Sequence, residues 1–257
     1  MSQADFKTKV QLGEIERWSI LEGMGEREGM GNTAAGEDIW RGNDLNPAPT
    51  SHTLIPTPPD AGEQMTLISQ SVNDAAAGTG IQTVRISYLD AAGDAQTEDV
   101  TMNGTTGVNT VATDIRFVQH LHALTVGSGG SAAANIRIHK VGVVATVYSM
   151  IGDGENHSLV PHKMVPAGHI LLLQVWHASE AQGKRVSIRL RSTDHDGVLL
   201  PGVFVTQDTT YIKQATTPSM ALTVKVPALS IVKASGYPDA IGADVGCRWW
   251  GYLVDKR

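Results

Sequence analysis

The chain has one cysteine, Cys247, among 257 residues. That excludes an intramolecular disulfide and any cysteine-based zinc centre. A lone thiol beside Arg248 reads as a small buried hydrophobe rather than a nucleophile. Charged residues make up only 18% and aromatic residues 5%, which argues against a coiled coil, a helical bundle and a wholly disordered chain. No run approaches the roughly 18–20 apolar residues of a membrane span. The opening MSQADFKTKV has no apolar core of the kind found in a secretory leader. Basic residues are also in deficit: the net charge is −6 and the pI about 5.8, so a generally basic nucleic-acid binder is excluded.

What is present is glycine, 27 residues of it, together with many Thr and Val, the composition of short strands and frequent turns. The acidity is uneven. Residues 1–60 hold Lys7, Lys9, Arg17, Arg27 and Arg41 against ten acids, leaving 15 basic and 16 acidic groups in the remainder. Glycines at 13, 23, 25, 29, 31 and 36 interrupt any helix begun near residues 13–22, and Pro47, Pro49, Pro56, Pro58 and Pro59 follow. Residues 1–62 therefore read as an extended Gly/Pro-rich acidic arm, with at most one short helix near residues 13–22. Trp18, Leu21, Ile39 and Trp40 on that arm are odd for a solvated linker. They mark either docking onto another surface or folding back onto the chain's own body.

From Met65 the apolar period becomes two. Gln82 to Tyr88 alternate, a turn follows at Asp90–Asp94, and Val100 and Met102 continue the alternation to Asn103-Gly104. This is a strong hairpin signal. Further strands are expected at 115–126, 134–139, 169–177, 185–191, 203–206, 220–226, 229–233 and 247–254. Residues 169–177 (HILLLQVWH) read as a central strand buried on both faces. About a dozen strands with almost no helix predict an all-β chain, a jelly-roll or Ig-like β-sandwich. It divides into one or two packed units, 63–146 and 147–257, behind the arm.

Candidate chemistry is sparse. His120 and His122 share a strand face, with His139 or an Asp as a third metal ligand; cross-strand packing is the plainer account. Asp90/Asp94 and Asp194/Asp196 sit in tight turns, where Asp is favoured for local hydrogen bonding without calcium. No nucleophile elbow, P-loop, metalloprotease or dinucleotide motif is present, and no carboxylate pair stands out for glycosidase chemistry. The reading is of no enzyme, no cofactor and no metal. Arg185, Arg189 and Arg191 form a basic stripe on one strand face, facing a sugar, an acidic partner arm or solvent. Trp249 and Trp250 alternate, one inward and one outward or at an interface. The interface candidates are therefore Trp18, Ile39, Trp40, Arg185, Arg189, Arg191 and Trp250.

Residues 69–110 (SQSVNDAAAGTGIQTVRISYLDAAGDAQTEDVTMNGTTGVNT) and 115–138 (IRFVQHLHALTVGSGGSAAANIRI) carry a resemblance. So do GEDIWRG at 36–42 and VPAGHILLLQVW at 165–176. Together they resemble a family of tailed-bacteriophage virion structural proteins. The arm departs from the pattern in its proline-rich stretch and its Gly-Met pairs at 23–31. The resemblance implies a non-enzymatic virion part assembled in the host cytoplasm: a capsid decoration or cement protein on the major capsid protein. It would act as a homo-oligomer, dimer or trimer, with no nucleic-acid or membrane partner. The alternative is a tail, collar or baseplate protein touching host glycans through Tyr211, Tyr237 or Trp250. A carbohydrate-active enzyme on a β scaffold is the third class.

Overall fold

The structure is a computed structural model and describes residues 3–42, 61–213 and 220–256. Helix α1 (Gln3–Gln11) leads into β1 (Trp18–Met30), β2 (Glu37–Asp38), β3 (Met65–Ser69), β4 (Ile81–Leu89), β5 (Ala95–Thr101) and β6 (Val108–Asn109). Next come β7 (Phe117–Val126), β8 (Ile136–Lys140), β9 (Val143–Ile151), β10 (Lys163–Met164), β11 (His169–Glu180) and β12 (Arg185–Ser192). The chain ends with β13 (Asp194–His195), β14 (Val198–Leu199), β15 (Val205–Lys213), β16 (Met220–Val226), β17 (Ile231–Pro238) and β18 (Ala243–Asp255). The chain is all-β, in small antiparallel sheets.

Two compact units form, and their boundaries differ from those expected. Residues Met1–Ile39 join Pro161–Arg257 in a discontinuous unit, and Trp40–Val160 form a continuous one. The expected break at 146/147 falls inside β9. The expected arm is instead structural: β1 pairs along its length with β18, from Trp18 opposite Val254 to Met30 opposite Ala243. The glycines are the reason. A Cβ at Gly23 would stand 2.3 Å from the Pro161 carbonyl oxygen and 2.6 Å from the Trp249 ring, so only glycine lets β1 lie this close. The proline-rich stretch lies outside the described residues.

The helix also lies earlier than expected. Residues 3–11 contain no Gly or Pro, and Gly13, at φ 71°, ends the helix. Glu14 N donates to Lys9 O at 2.9 Å and Gly13 N to Val10 O at 3.1 Å, the paired bonds of a Schellman cap.

In the discontinuous unit one sheet runs β1-β18-β11-β16. In the other, β10 and β2 both pair with β17, followed by β12 and β15. Along β17, β2 pairs at 235–236 and β10 at 231–232, so the two short strands lie in line on one edge. Residues 40–160 interrupt what is otherwise a single strand position. Counting β2 and β10 as one, the eight positions nest, first with last, second with seventh, third with sixth and fourth with fifth. The inner faces of both sheets share one core. It includes Leu171, Leu173, Trp176, Val186, Ile188, Leu190, Val245, Cys247 and Trp249. Strand β11 departs from the expectation of two buried faces: inner residues such as Leu171 are fully buried, whereas outer Ile170 and Leu172 are half-buried.

The continuous unit pairs a β6-β3-β8-β9 sheet with a β5-β4-β7 sheet. Met65, Leu67, Ile86, Leu121, Ile136 and Ile138 share its core. The β4–β5 hairpin follows the expected alternation, Leu89 opposite Ala95 and Thr83 opposite Thr101. Asp74 is fully buried. It accepts from Ser69 Oγ at 2.6 Å, Ile81 N at 2.7 Å and Ala133 N at 3.0 Å. Asp74 thus ties the β3–β4 connection to the approach of β8.

Candidate functional site

The outward faces of the two sheets in the discontinuous unit hold most of the residues singled out from the sequence. On β12 the inward residues Val186, Ile188 and Leu190 alternate with Arg185, Arg189 and Arg191, which point outward. Register sets their neighbours. Arg185 lies opposite Lys213, Ser187 between Tyr211 and Tyr237, Arg189 between Thr209 and Ser235, and Arg191 beside Lys233. The Arg189 guanidinium sits 3.9 Å from the centroid of the Tyr237 ring, and Lys233 Nζ 4.2 Å from that of Phe204. Arg191 donates to the Phe204 carbonyl at 3.0 Å and to Tyr237 Oη at 3.3 Å. These contacts hold the long cationic side chains against aromatic rings. Lys233 also pairs with Asp38 at 2.9 Å, and Ser235 Oγ donates to Asp38 Oδ1 at 2.8 Å. Tyr211, on the edge strand, is 80% exposed.

The outward face of β1-β18-β11-β16 is aromatic, and α1 lies on it. Phe6 meets Trp18 and Tyr252 edge-on at 5.2 and 5.1 Å, and Trp250 meets Tyr252 at 5.4 Å. Lys7 Nζ stands 4.0 Å from the centre of the Trp250 ring. Beside this contact a cleft of about 180 Å³ is lined by Lys7, Gln11, Ile20, Glu22, Val175, His177, Arg248 and Trp250. Arg248 pairs with Glu22 at 2.8 Å. Burial, reinforced by the Arg248 charge, holds the His177 imidazole below its ordinary pKa. Beneath this face, burial pushes the Cys247 thiol up to about 12, so it stays a protonated core group as expected. Burial also lowers the Lys163 ammonium to about 8, against the opposing pull of Glu22.

Trp18, Trp250 and the three arginines therefore stand on outward faces, and Trp249 is the inward member of its pair. Ile39 and Trp40 do not fit the interface expectation. Ile39 is 0% exposed in the core of the discontinuous unit, and Trp40 is 2% exposed against Val147, Met150 and Val160. Both are spent on the chain's own packing, the second of the two readings left open for the arm. Three acids of the arm are used in the same way: Glu22 pairs with Arg248, Glu37 with Arg27 and Asp38 with Lys233.

In the continuous unit His120 and His122 do share a face of β7, their rings stacked at 5.7 Å, with His157 at 5.9 Å from His120. His139 lies on β8 in the other sheet, its Nδ1 2.7 Å from Lys140 O. Among the described residues no group of three His, Cys, Asp or Glu is placed to hold a metal ion. Burial, with Arg85 and His157 nearby and Asp99 opposing, lowers the His122 pKa.

Sequence reasoning missed Lys213, Lys233 and Phe204, because neighbours across a sheet come from register, which a single strand does not carry. It also missed the cleft residues Lys7, Gln11, Glu22 and His177, since α1 was not expected on the sheet.

No family model matches this chain, and no curated protein matches it. Among solved structures it is similar to a chain from the structure of infectious bursal disease virus, Gt strain. That likeness has a TM-score of 0.25 and 8% identity, covering 94% of this chain and 72% of that one. The Gx strain gives a TM-score of 0.14 and 9% identity over 94% and 80%. At these scores neither likeness carries an argument.

Proposed function

We propose that the chain is a non-enzymatic structural protein of a tailed-bacteriophage virion. In this reading it is a capsid decoration or cement protein that docks on the major capsid protein as a homo-oligomer. The observation that carries the reading is the nested strand pairing of the discontinuous unit. Its sheets, first-eighth-third-sixth and second-seventh-fourth-fifth, follow a jelly-roll order, an architecture used by capsid domains among others. The sequence resemblance, which takes in most of residues 36–254, supports the same assignment. The mechanics fit a brace. The first strand is paired along nearly its whole length with the last, so both ends of the unit are clamped in one ladder, and among the described residues the other sheet carries a cationic outward face.

Quantitative mass spectrometry of purified particles tests the reading. Copies in the hundreds, together with a lower heat tolerance of particles lacking the protein, are expected. A dozen copies or fewer would favour a tail, collar or baseplate position, and absence from the particle would refute both. The tail reading draws on one observation: the cleft beside Trp250, where Gln11, Glu22, His177 and Arg248 offer polar groups to a glycan while the Trp250 ring itself lies under Lys7.

A further inference from the structure

We infer that the outward face of the β17-β12-β15 sheet is a docking surface for an acidic protein surface. The inference rests on the virion reading only in taking that surface to belong to the shell protein.

Charge is the first argument. Arg185, Arg189, Arg191, Lys213 and Lys233 share this face through strand register, on a chain whose net charge is −6. Two nearby acids, Asp38 and Asp239, offset part of this charge but do not match the five cations. Asp38 is held by Lys233 and Ser235, and Asp239 accepts from the Arg185 backbone N–H at 3.2 Å. The face is thus a local positive field on a negative molecule, which orients an acidic partner before contact.

Preorganisation is the second. Arg189 is stacked on Tyr237, and Arg191 is bonded to the Phe204 carbonyl. Much of the rotamer freedom that an arginine loses on binding is therefore already spent. A guanidinium held by its flat side still offers N–H donors at its edge to a carboxylate. Tyrosine and arginine are also the residue types that dominate binding energy at protein contacts, and Tyr211 stands open at the sheet edge.

Shape is the third. A pleated sheet face is broad and shallow, suited to another protein surface, whereas small ligands take concave sites. Duplex nucleic acid is the other polyanion to weigh. Its charge density, about one per 1.7 Å, extends well past this patch and meets the net negative remainder of the chain. A partner presenting a few carboxylates meets the patch alone.

The test uses the full-length chain and particles produced without it. Arg185→Glu/Lys213→Glu reverses two exposed charges that face each other at one end of the ladder, and a thermal melt verifies that it folds. Occupancy of particles by this variant is expected to fall about tenfold or more at low salt, with the gap to wild type narrowing at high salt as screening grows. Arg185→Lys/Lys213→Arg is expected to keep wild-type occupancy. If the wild-type chain itself fails to bind particles, the virion reading falls and the docking face assigned to the shell protein falls with it. If wild type binds and the reversed variant binds equally with the same salt dependence, the docking face is refuted and the virion reading stands. Binding of wild type to a 20-base-pair DNA duplex at the same salt, lost in the reversed variant, would overturn the acidic-protein assignment. So would sedimentation showing that the variant loses self-association while its particle occupancy is unchanged, because the occupant would then be a second copy.

Discussion

The two outward faces of the discontinuous unit are built by the same alternation over the same core, yet they meet solvent differently. On one, Trp18, Trp250 and Tyr252 form an aromatic surface, and α1 lies across it through Phe6 and Lys7. On the other, arginines and lysines cover tyrosine and phenylalanine rings with their own side chains, and no helix of the described residues lies across them. Apolar surface in water is costly in proportion to its area, so an aromatic face recruits a cover. A cationic face carries its own solvation and can stay uncovered until an opposite charge arrives. A strand that looks amphipathic thus settles the inward side; the chemistry of the outward side settles whether the chain itself must supply a lid.

The comparison can be broken or sharpened by measurement. Trp249→Ala, on the inward side common to both, is expected to have the largest effect. It removes a side chain 1% exposed and its 2.9 Å bond to the Pro161 carbonyl, costing about 3–5 kcal/mol in denaturant unfolding. Phe6→Ala cuts the helix away from the aromatic face and is expected to cost about 1–3 kcal/mol. It is also expected to raise dye binding to exposed apolar surface; an unchanged melt would mean that α1 is no cover.

Acid sharpens the contrast next. His177 on the covered face and His122 in the other unit have lowered pKa values, so their neutral forms are favoured in the folded chain. The unfolded chain binds more protons wherever the pH lies between the folded values and the ordinary one, about 6.5. Their contribution is therefore whole above that pH and is lost as the pH falls toward the folded values. Melting temperature is expected to drop between pH 7 and 5, less steeply in His177→Gln; equal slopes would remove His177 from the account. The smallest effect is expected on the cationic face. Arg189→Ala loses its stack on Tyr237, about 0.5–1 kcal/mol, and Arg185→Ala leaves the melting temperature unchanged.

Much of this architecture was legible. The β4–β5 hairpin, the in-and-out division of β12 and the opposite fates of Trp249 and Trp250 all follow from a period of two, because strand geometry sends successive side chains to opposite faces. Arg185, Arg189 and Arg191 could be placed together on that ground alone. The candidate face as a whole could not. Lys213, Lys233 and Tyr237 reach it from strands 20 to 50 residues away through hydrogen-bond register. Glycine density misled the reading of β1: glycine breaks helices and loosens free chains, but Gly23 serves to bring two backbones together over Trp249.

The amino-acid order by itself determined the element type and the inward side of the long strands, since each depends on neighbours within a few residues. The tertiary structure alone decided that residues 18–39 close the same unit as residues 161–257, that another unit interrupts one strand position, and which outward face is covered. Those outcomes depend on pairing between distant segments, whose free energy is shared between both partners and is written in neither one alone.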